Sequence, residues 1–140
     1  TFMEGMQTLR QLSFGLLDMA WHGGGSPERI KNVKEFEKGI FENTDLYPEV
    51  PETSMSTSFS HIFQGGYSSG YYSYKWAEVL DADAFAYFLE KGIFNIEVAA
   101  KFKEHVLSKG GTEHPMELYK RFRGKEPNPE YLLKRAGMLD

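Results

Sequence analysis

Cysteine is missing altogether from the 140 residues, which excludes a disulfide framework and any thiolate metal site and suits a reducing compartment such as the cytoplasm, the default placement, with the periplasm left open. No apolar run is long enough to cross a bilayer as a helix. Charge of one sign is also scarce: 16 basic against 20 acidic residues leave a net charge of -4. Only Lys120, Arg121, Arg123 and Lys125 cluster, so nucleic acid is not an expected partner. The four histidines, at 22, 61, 105 and 114, never form His-Glu-x-x-His or another metal-ligand spacing, so no metal held wholly by this chain is expected. An initiator methionine is absent too. The chain opens Thr1-Phe2-Met3-Glu4-Gly5-Met6 and enters a helical pattern with no start signal, from which a natural N-terminus further upstream is expected.

What is present is enough to build a core, with 41% hydrophobic and 15% aromatic residues in a length that suits one domain or a large piece of one. From Gly5 to Trp21, residues Met6, Leu9, Leu12, Leu16, Leu17 and Met19 approach helical spacing, and the glycines after His22 end the helix. Ser26-Pro27 reads as a cap with proline at the first helical position, leading into Val33, Phe36, Ile40 and Phe41. Pro48 and Pro51 make residues 45–60 an extended loop. A long helix is expected from Tyr67 to Lys91, a further one capped by Asn95 and closing at Lys109 before two glycines, and short ones after His114 and Asn128. No period-2 strand, internal repeat or low-complexity tract is visible. The fold class is all-α, as a single helical region over residues 1–140.

The chemistry concentrates between His61 and Trp76. Here a histidine stands beside the Gly65-Gly66 hinge, and Tyr67, Tyr71 and Tyr74 fall at i, i+4 and i+7, so a helix starting at Tyr67 would carry three phenols on one face. Such phenols can donate hydrogen bonds to a reacting oxygen. Each residue also has a plainer reading. Buried polar groups usually find partners, so His61 reads equally well as a satisfied core histidine or a functional one. Aromatic residues at helical spacing are more often core than catalytic, and Tyr72 with Trp76 fits core best. A row of tyrosines equally suits a sugar- or peptide-binding strip. His22 reads as a charge at a helix C-terminus, and His105 as solvated. Asp81 and Asp83, two apart, face different ways and share no site. The basic run at Lys120–Lys125 reads as solvated surface or an internal ion-pair partner.

The segment Phe59-Ser60-His61-Ile62-Phe63-Gln64-Gly65-Gly66-Tyr67, running into Gly70-Tyr71-Tyr72-Ser73-Tyr74-Lys75-Trp76, closely resembles the thimet oligopeptidase family of zinc metallopeptidases. The likeness is greatest to its bacterial oligopeptidase A and peptidyl-dipeptidase branch. Leu9-Arg10-Gln11-Leu12, Phe14-Gly15-Leu16, Leu80 to Phe85 and Arg121 to Pro127 are similar to the same branch, in the same order. The resemblance is to that family's C-terminal region. It implies a helical wall of a channel admitting short peptides, and one zinc held by a His-Glu-x-x-His helix and a further glutamate, all N-terminal to Thr1. It further implies that His61 and Tyr74 face the scissile carbonyl and that Tyr67 rides on a glycine-rich loop, Gly65 and Gly66, that closes on substrate. Tyr71 contacts peptide or packs. This chain alone is then an inactive fragment, expected to self-associate through the face it presents to the rest of the enzyme. The rival reading is a free-standing helical module that binds peptides without cutting them.

Overall fold

A computed structural model describes residues 2–139. Among the described residues every regular element is helical and no strand occurs, and no helix is long and apolar enough to cross a membrane. The contacts divide the chain into two units, Thr1–Lys75 and Trp76–Asp140.

The first unit is organised by α1 (Glu4–Gly23), α2 (Val33–Phe41) and the single turn α3 (Met55–Ser58). The buried face of α1 is Phe14, Leu17 and Asp18, one turn of helix spacing that meets Ile62 and Tyr71, with Trp21, Phe36, Ile40, Phe41, Met55 and Phe59 packed around them. The apolar stripe expected from the sequence is therefore displaced. Leu12, Leu16 and Met19 lie on the exposed side. The expected cap at Ser26 is also corrected: Pro27–Arg29 is a 3-10 turn, and α2 is capped by Asn32, whose side chain accepts from the backbone N–H groups of Lys34 and Glu35. The stretch expected to be extended holds α3 and ends where a second 3-10 turn, Ser60–Ile62, begins.

A buried carboxylate fixes α3. Glu37 on α2 accepts from the Ser54 hydroxyl at 2.9 Å and from the backbone N–H groups of Met55 at 3.3 Å and Ser56 at 2.5 Å, while the Trp21 indole donates to the Ser56 hydroxyl at 2.8 Å. Burial opposes ionisation of Glu37, but the hydrogen bonds from Ser56, Ser54 and Met55 outweigh it and hold its carboxyl below the usual range. The unfolded chain therefore binds this proton at a higher pH than the folded one. The stability it contributes is complete above the ordinary carboxylate range and is lost as pH falls through the lowered folded value. Glu37→Gln is expected to flatten the acid side of the stability profile, measured by urea unfolding between about pH 3 and about pH 7. An unchanged acid slope would contradict this.

The second unit contains most of α4 (Ser73–Lys91), then α5 (Ile96–Phe102), α6 (Pro115–Arg123) and α7 (Glu130–Arg135). Asn95 caps α5 as expected, accepting from the N–H groups of Glu97 and Val98, but the helix loosens into a π turn at Lys103–Leu107 before reaching Lys109. His114 caps α6 through its ring nitrogen, and Gly124 closes it in the left-handed conformation that glycine adopts without strain. Val98, Tyr119 and Phe122 form one core cluster, and Val79, Ala82 and Leu132 another. Asp83 is fully buried. It accepts from the Tyr119 hydroxyl and pairs with Arg123 at 3.3 Å, and Arg123 also reaches Glu90 at 3.0 Å. The basic run thus includes an internal ion-pair partner, whereas Arg121 pairs with Glu113 at the surface.

Candidate active site

Four short pieces of the first unit converge. His61 sits in the middle of the 3-10 turn Ser60–Ile62, pinned by Ile62, which is fully buried. Gly65 and Gly66 follow with φ of 79° and 82°, in open surroundings where an added Cβ would touch nothing within 4 Å. Their requirement is conformational, not steric. The chain then makes a hydrogen-bonded turn from Tyr67 to Gly70, and Ser69, at φ 60°, takes a left-handed conformation unusual for a residue with a side chain. Only at Ser73 does α4 begin.

The three phenols are therefore not on one helix face, contrary to expectation. They meet all the same, because the turns fold Tyr67 back over the first turn of α4. The Tyr67 and Tyr74 rings stack with centroids 5.3 Å apart, and His61 stands edge-on to Tyr67 at 4.6 Å, Tyr71 at 5.4 Å and Tyr74 at 5.7 Å. The Tyr74 hydroxyl lies 3.2 Å from His61 Nε2. With Nε2 unprotonated the phenol donates to it; with Nε2 protonated the ring donates to the phenolic oxygen and leaves the Tyr74 proton free for a ligand. A hydrogen bond with Tyr67, then desolvation and the neighbouring phenols Tyr67 and Tyr71, push Tyr74 up to about 12. It is a neutral donor throughout the physiological range.

Exposure separates the residues. Tyr74 is 40% exposed, but Tyr71 is buried among Phe14, Ile62 and Leu17, and its hydroxyl donates to Gln11 Oε1 at 3.2 Å. Tyr71 packs in the core of the first unit. Tyr72 and Trp76, expected in the core, are both exposed.

One residue escaped the sequence reading. Asp18 is fully buried, and its two carboxylate oxygens accept from the backbone N–H of Ser69 at 2.8 Å and of Tyr71 at 2.9 Å. His22 Nδ1 lies 2.8 Å from the same carboxylate and 2.9 Å from the Asp18 carbonyl. Two acceptors on that nitrogen require it to carry the proton. His22 thus serves a specific carboxylate where a general helix-end charge was expected. The available signal was Asp18 itself, an acid inside the apolar face between Leu17 and Trp21 and one turn before a histidine.

Among the described residues no group of three His, Asp or Glu could hold a metal ion. The residues present do not fit the zinc that the resemblance implies.

A small helical unit thus presents a histidine and phenols, all able to exchange hydrogen bonds, beside a glycine-rich loop. The sequence profile of peptidase family M3 matches residues 1–138, and the chain belongs to that family. It is 43% identical over 139 residues to oligopeptidase A of Haemophilus influenzae, covering 99% of this chain and 20% of that protein. Against oligopeptidase A of Escherichia coli it is 45% identical over 130 residues, 93% of this chain and 19% of the relative. Against the dipeptidyl carboxypeptidase of Escherichia coli the identity is 38% over 139 residues, 98% of this chain and 20% of the relative. The family expected from the motifs is borne out. The chain spans about a fifth of the length of these relatives; that extent is established, and the C-terminal placement expected above is not.

Proposed function

We propose that this chain is the substrate-facing part of a longer zinc-dependent peptidase that hydrolyses short peptides. Its zinc ligands are assigned to the remainder of the full-length protein, as the family resemblance implies. The observation that carries the reading is the exposed Tyr74 hydroxyl, held in its protonated form and 3.2 Å from His61 Nε2. When water adds to a peptide carbonyl, charge gathers on the carbonyl oxygen, and donors already aimed there lower the barrier without reorganising. Tyr74 supplies an O–H donor, and His61 orients it or donates alongside it. Tyr67, stacked on Tyr74, covers the pair from the loop, and Tyr71 supports both from the core.

The reading is tested by capturing the native protein with an antibody to this chain and assaying cleavage of blocked short peptides before and after chelation. A species several times longer than this chain, losing activity on chelation and regaining it with zinc, is expected. A native species no longer than this chain that binds peptides without cutting them would overturn the proposal in favour of a stand-alone binding module.

Two further outcomes follow from the same reading. Replacing Gly65 and Gly66 together by alanine places two side chains in the left-handed region, stiffening the loop that carries Tyr67 without creating a clash. In the full-length protein kcat and KM are expected to change together, and unchanged steady-state kinetics would refute a gating role. The isolated chain leaves Phe94 and Ile96 92% and 83% exposed, so self-association is expected; a clean monomer at high concentration in analytical ultracentrifugation would count against it.

A further inference from the structure

We propose that Asp18 is a positioning residue for the tyrosine site, acting as the fixed post to which the far end of the glycine-rich loop is tied. The proposal rests on the peptidase reading for its kinetic consequence but on geometry for the tie itself.

The loop has two fastenings. At its near end Ile62 is fully buried and its carbonyl accepts from the Ser68 hydroxyl at 2.7 Å. At its far end the Asp18 carboxylate takes the N–H of Ser69 on one oxygen and the N–H of Tyr71 on the other. Between these points Gly65 and Gly66 touch nothing where a side chain would begin. Free backbone is thus confined to a short stretch around Tyr67, and everything beyond Ser69 is held.

Ser69 explains why a charge is used. Its left-handed φ of 60° turns its N–H and that of Tyr71 toward one point, making a small anion-binding concavity of backbone donors. A carboxylate fits that concavity with one oxygen per donor and compensates the backbone strain. Asp18 lies on α1, the longest helix of the first unit, so the post does not move with the loop. Its remaining partner, His22, also rests its ring against Phe63 at 5.6 Å, touching the near side of the same loop. Tyr71 contacts the Tyr74 ring at 5.1 Å, and only Tyr72 and Ser73 separate the residue of the tied N–H from Tyr74. Displacing the tie therefore displaces the donor.

Asp18→Asn keeps the shape but sets an NH2 group against one of the two backbone donors. In the full-length protein it is expected to lower kcat about 10- to 100-fold with a smaller change in KM, the scale of a donor misplaced by a fraction of an ångström to an ångström. Amide exchange at Ser69 and Tyr71 should accelerate, while protection across α1 is retained. The decisive comparison is a double-mutant cycle with Tyr74→Phe. If Asp18 acts through Tyr74, Asp18→Asn costs little further kcat once the hydroxyl is gone. Additive losses would overturn the proposal, as would wild-type kcat in Asp18→Asn. If Asp18→Asn does not fold, His22→Leu, which removes one partner from the carboxylate at a partly exposed position, should give the same non-additivity at smaller amplitude, and additivity there overturns it equally. Failure of the peptidase reading looks different: Tyr74→Phe alone would then leave kcat unchanged, while the faster exchange at Ser69 and Tyr71 would still appear.

Discussion

Tyr74→Phe in the full-length protein is expected to lower kcat by about 10²- to 10³-fold, the usual loss on deleting one donor to a developing oxyanion, with KM nearly unchanged. The substitution removes one oxygen and leaves the ring, so the stack on Tyr67 and the contacts with His61 and Tyr71 survive. Ground-state binding of peptide is preserved for the same reason. What is lost is a proton that stays on its oxygen until pH approaches about 12, so ionisation of Tyr74 contributes no alkaline limb to the rate in the physiological range. His61 cannot fully replace it, because its donor capacity depends on the protonation of Nε2. Steady-state kinetics on a blocked short peptide would separate the cases. Equal kcat in the variant would remove Tyr74 from the chemistry, and a raised KM with unchanged kcat would make it a binding residue only.

Arg123→Ala is expected to destabilise the protein by about 3–5 kcal/mol, the cost of stranding a buried charge. The Arg123 and Asp83 side chains are 5% and 0% exposed, so among the described residues Asp83 would keep only the Tyr119 hydroxyl as a donor. The loss also removes the guanidinium from the Tyr87 face, 4.7 Å away, and leaves Glu90 with the Tyr131 hydroxyl in place of both donors. Arg121 offers the internal contrast. Its pair with Glu113 is 47% and 37% exposed, and Arg121→Ala is expected to cost no more than about 1 kcal/mol. Chemical denaturation of the two variants tests the difference, and equal midpoints would contradict it. Replacing Asp83 and Arg123 together by apolar residues of similar size should cost less than Arg123→Ala alone, since no charge is then left unpaired.

The parts of the fold that were legible in the sequence are those set by local chemistry. Asn95 and His114 mark helix starts where side chain and backbone satisfy each other within a few residues, and the long helix α1 announces itself by length and by the glycines behind it. The clustering of the candidate residues was legible, but not how it is built. His61, Tyr67, Tyr71 and Tyr74 do come together, yet their helical spacing is not the cause. The left-handed Gly65, Gly66 and Ser69 break the helix that the spacing suggested, and tertiary turns return the rings to one place. Asp18 was missed for a related reason. Two of its partners are backbone amides 51 and 53 residues away, so its only mark in the sequence is its place in the apolar face one turn before His22. The stripe on α1 was misplaced because Leu12, Leu16 and Met19 are as apolar as the residues that are buried, and hydrophobicity alone does not choose between two faces of such a helix.

The most direct measurement is a crystal structure of the full-length protein with a phosphinic peptide, whose tetrahedral phosphorus stands in for the hydrated carbonyl. The account predicts a phosphinyl oxygen about 2.7–3.1 Å from the Tyr74 hydroxyl, with His61 at its side and Tyr67 closed over the peptide. A peptide bound at a metal centre with Tyr74 and His61 out of hydrogen-bond reach would contradict it.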